Sequence, residues 1–230
     1  MAKTLALIHT SMVFVSVETM MKDLFEEIMP DVRRINILDD SLLSDVIAAG
    51  KVTDAVQQRI NAYVQAAELT GADAILSLCS SVGPAIDLAR SLVSIPVIKI
   101  DDAMTEKAVR EADRIGVIAT VSTTLKPTLG LLQEKSAKLG KPVEIKPRLV
   151  DGAFQILVGG DKDRHDEMVS RAALELMDED IDLLVLAQAS MTRLAPRIHN
   201  EIRRTVLSSP RLAIEHTRRV LNEQPDKVSR

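Results

Sequence analysis

The chain is poor in aromatic residues and nearly devoid of cysteine: its 230 residues include no Trp, one Tyr, three Phe and a single thiol, Cys79. One thiol cannot close an intrachain disulfide, so Cys79 is no structural crosslink, and the composition fits a reducing compartment. An aromatic share of 2% leaves few platforms on which single-stranded bases could stack. A net charge of −4 and a pI near 5.6 run against the concentrated basic surface of a phosphate-backbone binder, so no nucleic-acid partner is expected. The arginines of the last third, Arg193, Arg197, Arg203, Arg204, Arg211, Arg218 and Arg219, are mixed with Glu201 and Glu215 and read as a solvated helix face. No apolar run reaches the roughly 18 residues of a membrane helix. Met1-Ala2-Lys3 leads straight into a short apolar strand without a signal-peptide h-region. The expectation is a cytoplasmic protein with no membrane partner.

Cofactor signatures are missing too. Gly159-Gly160 falls in a long polar connection from Gly152 to Arg164 and does not follow a strand, and no Walker A pattern occurs. No His/Asp/Glu spacing indicates a metal site. His165, His199 and His216 lie in charged, helix-like surroundings and read as surface residues. The expected cofactor is none.

What is present is a regular alternation. Apolar runs of strand length, 5–9, 33–38, 74–79, 96–100, 115–120, 143–150, 182–188 and 205–207, are separated by stretches of helical period. That pattern specifies an α/β fold with parallel sheets. The clearest helix spans 53–70, with Val56, Ile60, Val64 and Ala67 on one face and Gly71 as its stop; another covers 166–177, with Met168, Ala172 and Leu176 inward. The tail 222–230 is polar and expected to fray.

The alternation repeats itself. Asp73-Ala74-Ile75-Leu76-Ser77-Leu78-Cys79-Ser80-Ser81 is rewritten as Asp182-Leu183-Leu184-Val185-Leu186-Ala187-Gln188-Ala189-Ser190, which sets Gln188 opposite Cys79. Thr10 and Thr120, and Val97 and Val206, match at the same offset to within one residue. The period is far longer than the 20–50 residues of solenoid arrays. It implies two similar parallel-sheet α/β domains facing each other, with bounds at 1–102 plus 209–230 and at 103–208.

In open parallel sheets ligands bind beyond the carboxyl ends of the strands, where helix N-termini expose unpaired N–H groups. The candidate site residues are therefore His9, Thr10 and Ser11; Cys79, Ser80 and Ser81; Thr120, Ser122 and Thr123; and Gln188, Ala189 and Ser190. Hydroxyl and amide donors dominate this set and suit a carboxylate or oxyanion. Such a cradle lowers a thiol's pKa, which would make Cys79 a base near neutral pH. A lone cysteine can equally be a small packed apolar residue. His9 can supply a second acid/base function or merely hydrogen-bond a neighbouring loop. Gln188 never acts as a base; it holds a substrate oxygen or bonds within the protein. Lys99, Asp101 and Asp102 end the fourth strand, where Asp102 reads as a helix cap with Glu106 as its capping-box partner.

A thiol at a strand end, the duplicated unit, and Ile115-Gly116-Val117-Ile118-Ala119-Thr120 opening the second half together resemble the aspartate/glutamate/hydantoin racemase superfamily. The resemblance implies two domains related by a pseudo-two-fold axis, a cleft between them, and a cysteine from each strand end flanking the substrate's α-carbon. It implies that Cys79-Ser80-Ser81 is the first cysteine motif, whose residues bind a substrate carboxylate. Gln188 departs from the second motif and removes the two-thiol mechanism. The expected function is a cofactor-independent racemase or epimerase acting on a small carboxylate through Cys79, as a homodimer or higher homo-oligomer. The alternatives are a one-cysteine decarboxylase or isomerase, as among the superfamily's modified relatives, and a non-catalytic small-carboxylate binding protein.

Overall fold

A computed structural model of the chain describes residues 2–12 and 20–224. It divides into two compact units, Met1–Ile100 with Pro210–Arg230, and Asp101–Ser209. Each contains a four-stranded parallel sheet with flanking helices.

In the first unit, β1 (Thr4–His9), β2 (Arg33–Leu38), β3 (Ala74–Ser77) and β4 (Val97–Lys99) stand in the order β2-β1-β3-β4. In the second, β5 (Arg114–Ala119), β6 (Glu144–Leu149), β7 (Leu183–Leu186) and β8 (Thr205–Ser208) stand in the order β6-β5-β7-β8. The duplication read in the sequence is thus a duplication of topology. It extends to exposure: the central strands β1, β3 and β7 are buried throughout, while the edge strands β2 and β6 share one alternating pattern of half-buried and exposed residues. Central parallel strands are covered on both faces and read as continuous apolar runs; edges need not be.

The aspartates that lead the repeated strands have a structural purpose. Asp73 accepts a hydrogen bond from the Thr4 N–H at 2.7 Å and returns one from its own N–H to the Thr4 carbonyl at 2.7 Å. Asp182 does the same with Arg114, at 2.9 Å in both directions. Each carboxylate locks two central strands together at their amino ends, opposite the end where a ligand would bind. The Arg114 guanidinium also grips Asp182 and holds its carboxyl at about 2.

The helices follow from their apolar periodicity and caps. α1 (Met20–Ile28), α2 (Leu42–Ala49), α3 (Asp54–Leu69), α4 (Gly83–Ala89) and α10 (Ser209–Glu223) belong to the first unit; α5 (Asp102–Glu111), α6 (Ser122–Leu139), α7 (Ala153–Val158), α8 (Lys162–Glu175) and α9 (Ala195–Ile202) belong to the second. Thr53 caps α3 by accepting from the Val56 N–H at 3.3 Å. Val56, Ile60, Val64 and Ala67 then enter a core with Ala6, Ile8 and Ile75. Burying one such side chain as large as Ile60 stabilises the fold by roughly 1.5–3 kcal/mol. Gly71, at φ +82°, takes the left-handed conformation that ends this segment.

Five expectations need correction. Residues 152–164 are not a polar loop, because 153–158 form α7. α8 begins at Lys162 rather than near 166, since the Asp161 carboxylate caps it by accepting from the Arg164 N–H. That start turns His165 inward, where it is fully buried, so it is no surface residue. Asp102 does not cap α5: it is the helix's first residue, Asp101 stands at the cap position, and Glu106 pairs with Arg110 at 2.8 Å. The tail also holds helix further than expected, since α10 continues to Glu223; residues 225–230 lie outside the described residues. Among the described residues no helix is long and apolar enough to cross a membrane.

Candidate functional site

In both units the strand order reverses beside the first strand, between β1 and β3 and between β5 and β7. Crevices open beyond the carboxyl ends of strands at such reversals. The repeated motifs end there. β3 and β7 stop two residues short of Cys79 and Gln188, but both residues remain extended, at φ −144° ψ 119° and φ −127° ψ 135°. A short 3₁₀ turn follows each, Ser80–Val82 and Ala189–Leu194. Through Ala72–Gly83 every residue is buried except Cys79, and through Leu183–Met191 every residue is buried except Gln188. Each repeat therefore offers one side chain at the end of an otherwise closed strand.

The first of these is a thiol held by donors. The Thr10 hydroxyl, the Ser81 and Val82 N–H groups and the Ser81 hydroxyl each favour the Cys79 thiolate. Thr10 is placed for this by β1, whose last residues pair with β3, and the N–H donors come from the 3₁₀ turn. Donors surround the thiol, but their net effect is not the lowering expected. Burial pushes the thiol up by more than the four bonds pull it down, so the resting group is the neutral thiol. Desolvation of the anion outweighs the donors because Cys79 packs against the same apolar core as Ile8 and Ile75.

His9 occupies the same end of β1. Its Nε2 lies 2.9 Å from Asn36 Oδ1, a β2 residue that the sequence reading passed over. With the Asn36 oxygen as acceptor, the ring proton is assigned to Nε2, and Nδ1 carries the lone pair. Nδ1 is buried without a hydrogen-bond partner among the described residues. Burial lowers the imidazole's pKa, only partly opposed by Asn36, so the ring is neutral near neutral pH. Thr10 is buried and Ser11 half-buried beside it. The polar signal for Asn36 was a single amide between Ile35 and Ile37, and pattern alone gave it no partner.

The second unit repeats the arrangement with different chemistry. Gln188 Oε1 accepts from the Thr120 N–H at 2.5 Å and from the Thr120 hydroxyl at 2.9 Å. Thr120 thus serves Gln188 as Thr10 serves Cys79. Because a backbone N–H only donates, the side-chain oxygen must face Thr120, and the amide NH₂ is the end left to meet a ligand. Ser122 and Thr123 open α6, exposed and buried respectively; Ala189 and Ser190 open the 3₁₀ turn, and the Ser190 hydroxyl is buried without a partner among the described residues. First-turn N–H groups of this kind lack intrahelical acceptors.

Other charged residues named from sequence are engaged by opposite charges. Lys99 pairs with Asp87 at 2.8 Å and is 5% exposed, so its charge is committed along α4. Asp102 lies 4.0 Å from Lys135. Among the described residues no cluster of three His, Cys, Asp or Glu side chains could hold a metal ion.

The comparisons agree with this architecture. Residues 14–217 match the family described as Asp/Glu/Hydantoin racemase. Among solved structures the chain is similar to a glutamate racemase of Bacillus anthracis, at 18% identity and a TM-score of 0.77 over 96% of this chain and 82% of that one. It is also similar to an allantoin racemase of Klebsiella pneumoniae, at 18% identity and a TM-score of 0.68 over 96% and 88%. Unliganded arylmalonate decarboxylase superimposes at 15% identity and a TM-score of 0.59, over 97% and 94%. At these identities the likeness is one of fold. No curated protein sequence matches the chain.

Proposed function

Because this chain belongs to the Asp/Glu/hydantoin racemase family, we propose that it is a cofactor-independent enzyme moving a proton at the carbon next to a carboxylate, with Cys79 as the acid/base. The observation that supports this reading is the donor set around the thiol: two hydroxyls and two N–H groups favour the thiolate of a sulfur at the end of a closed strand. A packed structural cysteine has no use for them. Deprotonating such a carbon produces an enolate-like oxyanion, which neutral donors stabilise without a counter-charge. Ser80, Ser81, Thr120, Ser122, Thr123, Gln188, Ala189 and Ser190 are the proposed donors to substrate oxygens, with Thr10 and Ser11 beside the thiol. His9, neutral and with a bare Nδ1, is the proposed second proton acceptor, which a racemase or epimerase requires.

One observation favours a second reading. Gln188 cannot ionise, and Cys79 rests as a thiol, so a decarboxylase or isomerase that protonates from one side needs nothing beyond what is present. In that chemistry the thiol acts first as an acid, delivering its proton to a carbanion generated by loss of carbon dioxide or a bond shift.

The deciding experiment is substrate-proton exchange. Wild type and Cys79→Ala are incubated in deuterated water with a panel of small amino, hydroxy and dicarboxylic acids and followed by proton NMR. Deuterium entering one carbon with wild type only supports proton transfer by Cys79, and chiral analysis of the product separates racemisation from one-sided protonation. Equal exchange by Cys79→Ala removes the cysteine from the reaction. A ligand that binds wild type without exchange or conversion identifies a binding protein instead.

A further inference from the structure

Arg193 belongs by sequence to the solvated basic faces, but the fold gives it a different place. It lies in the Ala189–Leu194 turn that follows Gln188, and its side chain is only 19% exposed. Its Nη1 donates to the Ser190 carbonyl. Nη2 donates to Asp166 Oδ1 at 2.5 Å and lies 3.4 Å from His165 Nδ1. His165 Nδ1 in turn lies 2.8 Å from the same Asp166 oxygen. The guanidinium therefore joins the turn after β7 to the first turn of α8.

We propose that Arg193, held by Asp166 whose carboxylate His165 fixes in turn, is a positioning residue that fixes the Gln188–Ser190 turn; this rests on the function proposed above. Fixing the Ser190 carbonyl fixes the peptide plane that carries the Met191 N–H, and that N–H donates to the Gln188 carbonyl at 3.0 Å. The backbone of Gln188 is thereby constrained from the carboxyl side by Arg193, and its side chain is constrained by Thr120. With both ends held, the Gln188 amide NH₂ and the Ser190 hydroxyl are presented in one orientation. The shape of the cation matters here. A guanidinium spreads its donors in a planar fork and can engage a carbonyl and a carboxylate together, whereas an ammonium is a point charge on a flexible stem. Asp166, 16% exposed, and fully buried His165 make the other wall of the clamp rigid. Arg193 itself touches no reacting atom in this scheme.

The test uses Arg193→Met, Arg193→Lys and Asp166→Asn in the full chain. With a substrate identified by exchange, Arg193→Met and Arg193→Lys should each lower kcat by about 10- to 100-fold, the size expected when donors are misplaced by around an ångström, with a smaller change in KM. Asp166→Asn should reproduce part of the loss. In a Gln188→Ala background the Arg193→Met substitution should have little further effect on kcat, because both act on one turn. A merely structural role predicts a loss that follows melting temperature and adds independently to that of Gln188→Ala; that result overturns the proposal. A second readout requires no turnover: in ¹⁵N NMR spectra, Arg193→Met should move the Gln188 side-chain NH₂ and the Ala189 and Ser190 amide resonances. If those signals stay in place the proposal fails even where the enzyme is active, and if they move in a protein without turnover the clamp stands while the assigned reaction does not.

Discussion

Replacing Thr10 by Val removes one hydrogen-bond donor from the Cys79 sulfur and almost nothing else. The Thr10 carbonyl, which accepts from the Leu43 N–H at 3.2 Å, is retained, and the side chain keeps its volume in a buried site. A hydrogen bond to a charged group contributes about 1.5–3 kcal/mol, so losing the Thr10 donor should raise the thiol's pKa further. The shift adds to the upward push that burial already exerts. The thiolate fraction near neutral pH then falls, while the more basic thiolate becomes a better nucleophile; together these should slow alkylation by about three- to tenfold. Two assays check this: the ultraviolet absorbance of the thiolate against pH, and the rate of iodoacetamide modification. Cys79 is the sole cysteine, so Cys79→Ser gives the blank for both. An unchanged or lowered pKa in Thr10→Val would refute the claim that Thr10 stabilises the thiolate, and a matched fall in melting temperature would assign any slowing to disorder instead.

Removing the Gln188 side chain should cost about 1–3 kcal/mol in urea unfolding, because Gln188→Ala leaves the buried Thr120 N–H and hydroxyl without their acceptor. Gln188→Glu keeps that oxygen and should hold most of the stability; equal stability in all three proteins would mean that the Thr120 bonds contribute nothing. His9 should make the protein sensitive to mild acid. Its pKa in the folded chain is depressed below the ordinary value of 6.5, so its stabilising contribution is complete above that value and is lost as the pH falls through the lower native value. The melting temperature of His9→Gln should therefore fall less than that of wild type over the same acidification, and parallel curves would exclude His9 as the cause.

Among the described residues the alternation of strand-length runs and helical stretches placed all eight strands: the central ones, covered on both faces, leave a continuous apolar record, the half-exposed edges β2 and β6 leave a mixed one, and the connecting helices leave a period. Helix ends were less legible. The start of α8 depends on which acidic residue captures a free N–H, and Asp161 rather than a later residue does so. A shift of a few residues there turned His165 from surface to core. α7 escaped notice because it is only six residues long, too short for a period to register. Asp102 failed as a cap because capping is a matter of backbone geometry, which its residue type does not fix.

The candidate site divides along the same line. The duplication aligned Thr10 with Thr120 and Cys79 with Gln188 before any coordinates, since both halves must end the same strands in the same way. Sequence alone also determined that one half has a thiol and the other an amide, and that the chain therefore lacks a second cysteine acid/base. The tertiary structure decided what those groups are worth. It showed that the leading aspartates are strand clamps, that Asn36 sets the proton on His9, and that Arg193 is tied to Asp166 rather than to solvent. It also reversed the sign of the shift at Cys79. A pKa is the balance between desolvation and donated hydrogen bonds, and residue order supplies the donors but not the depth of the sulfur beneath the surface.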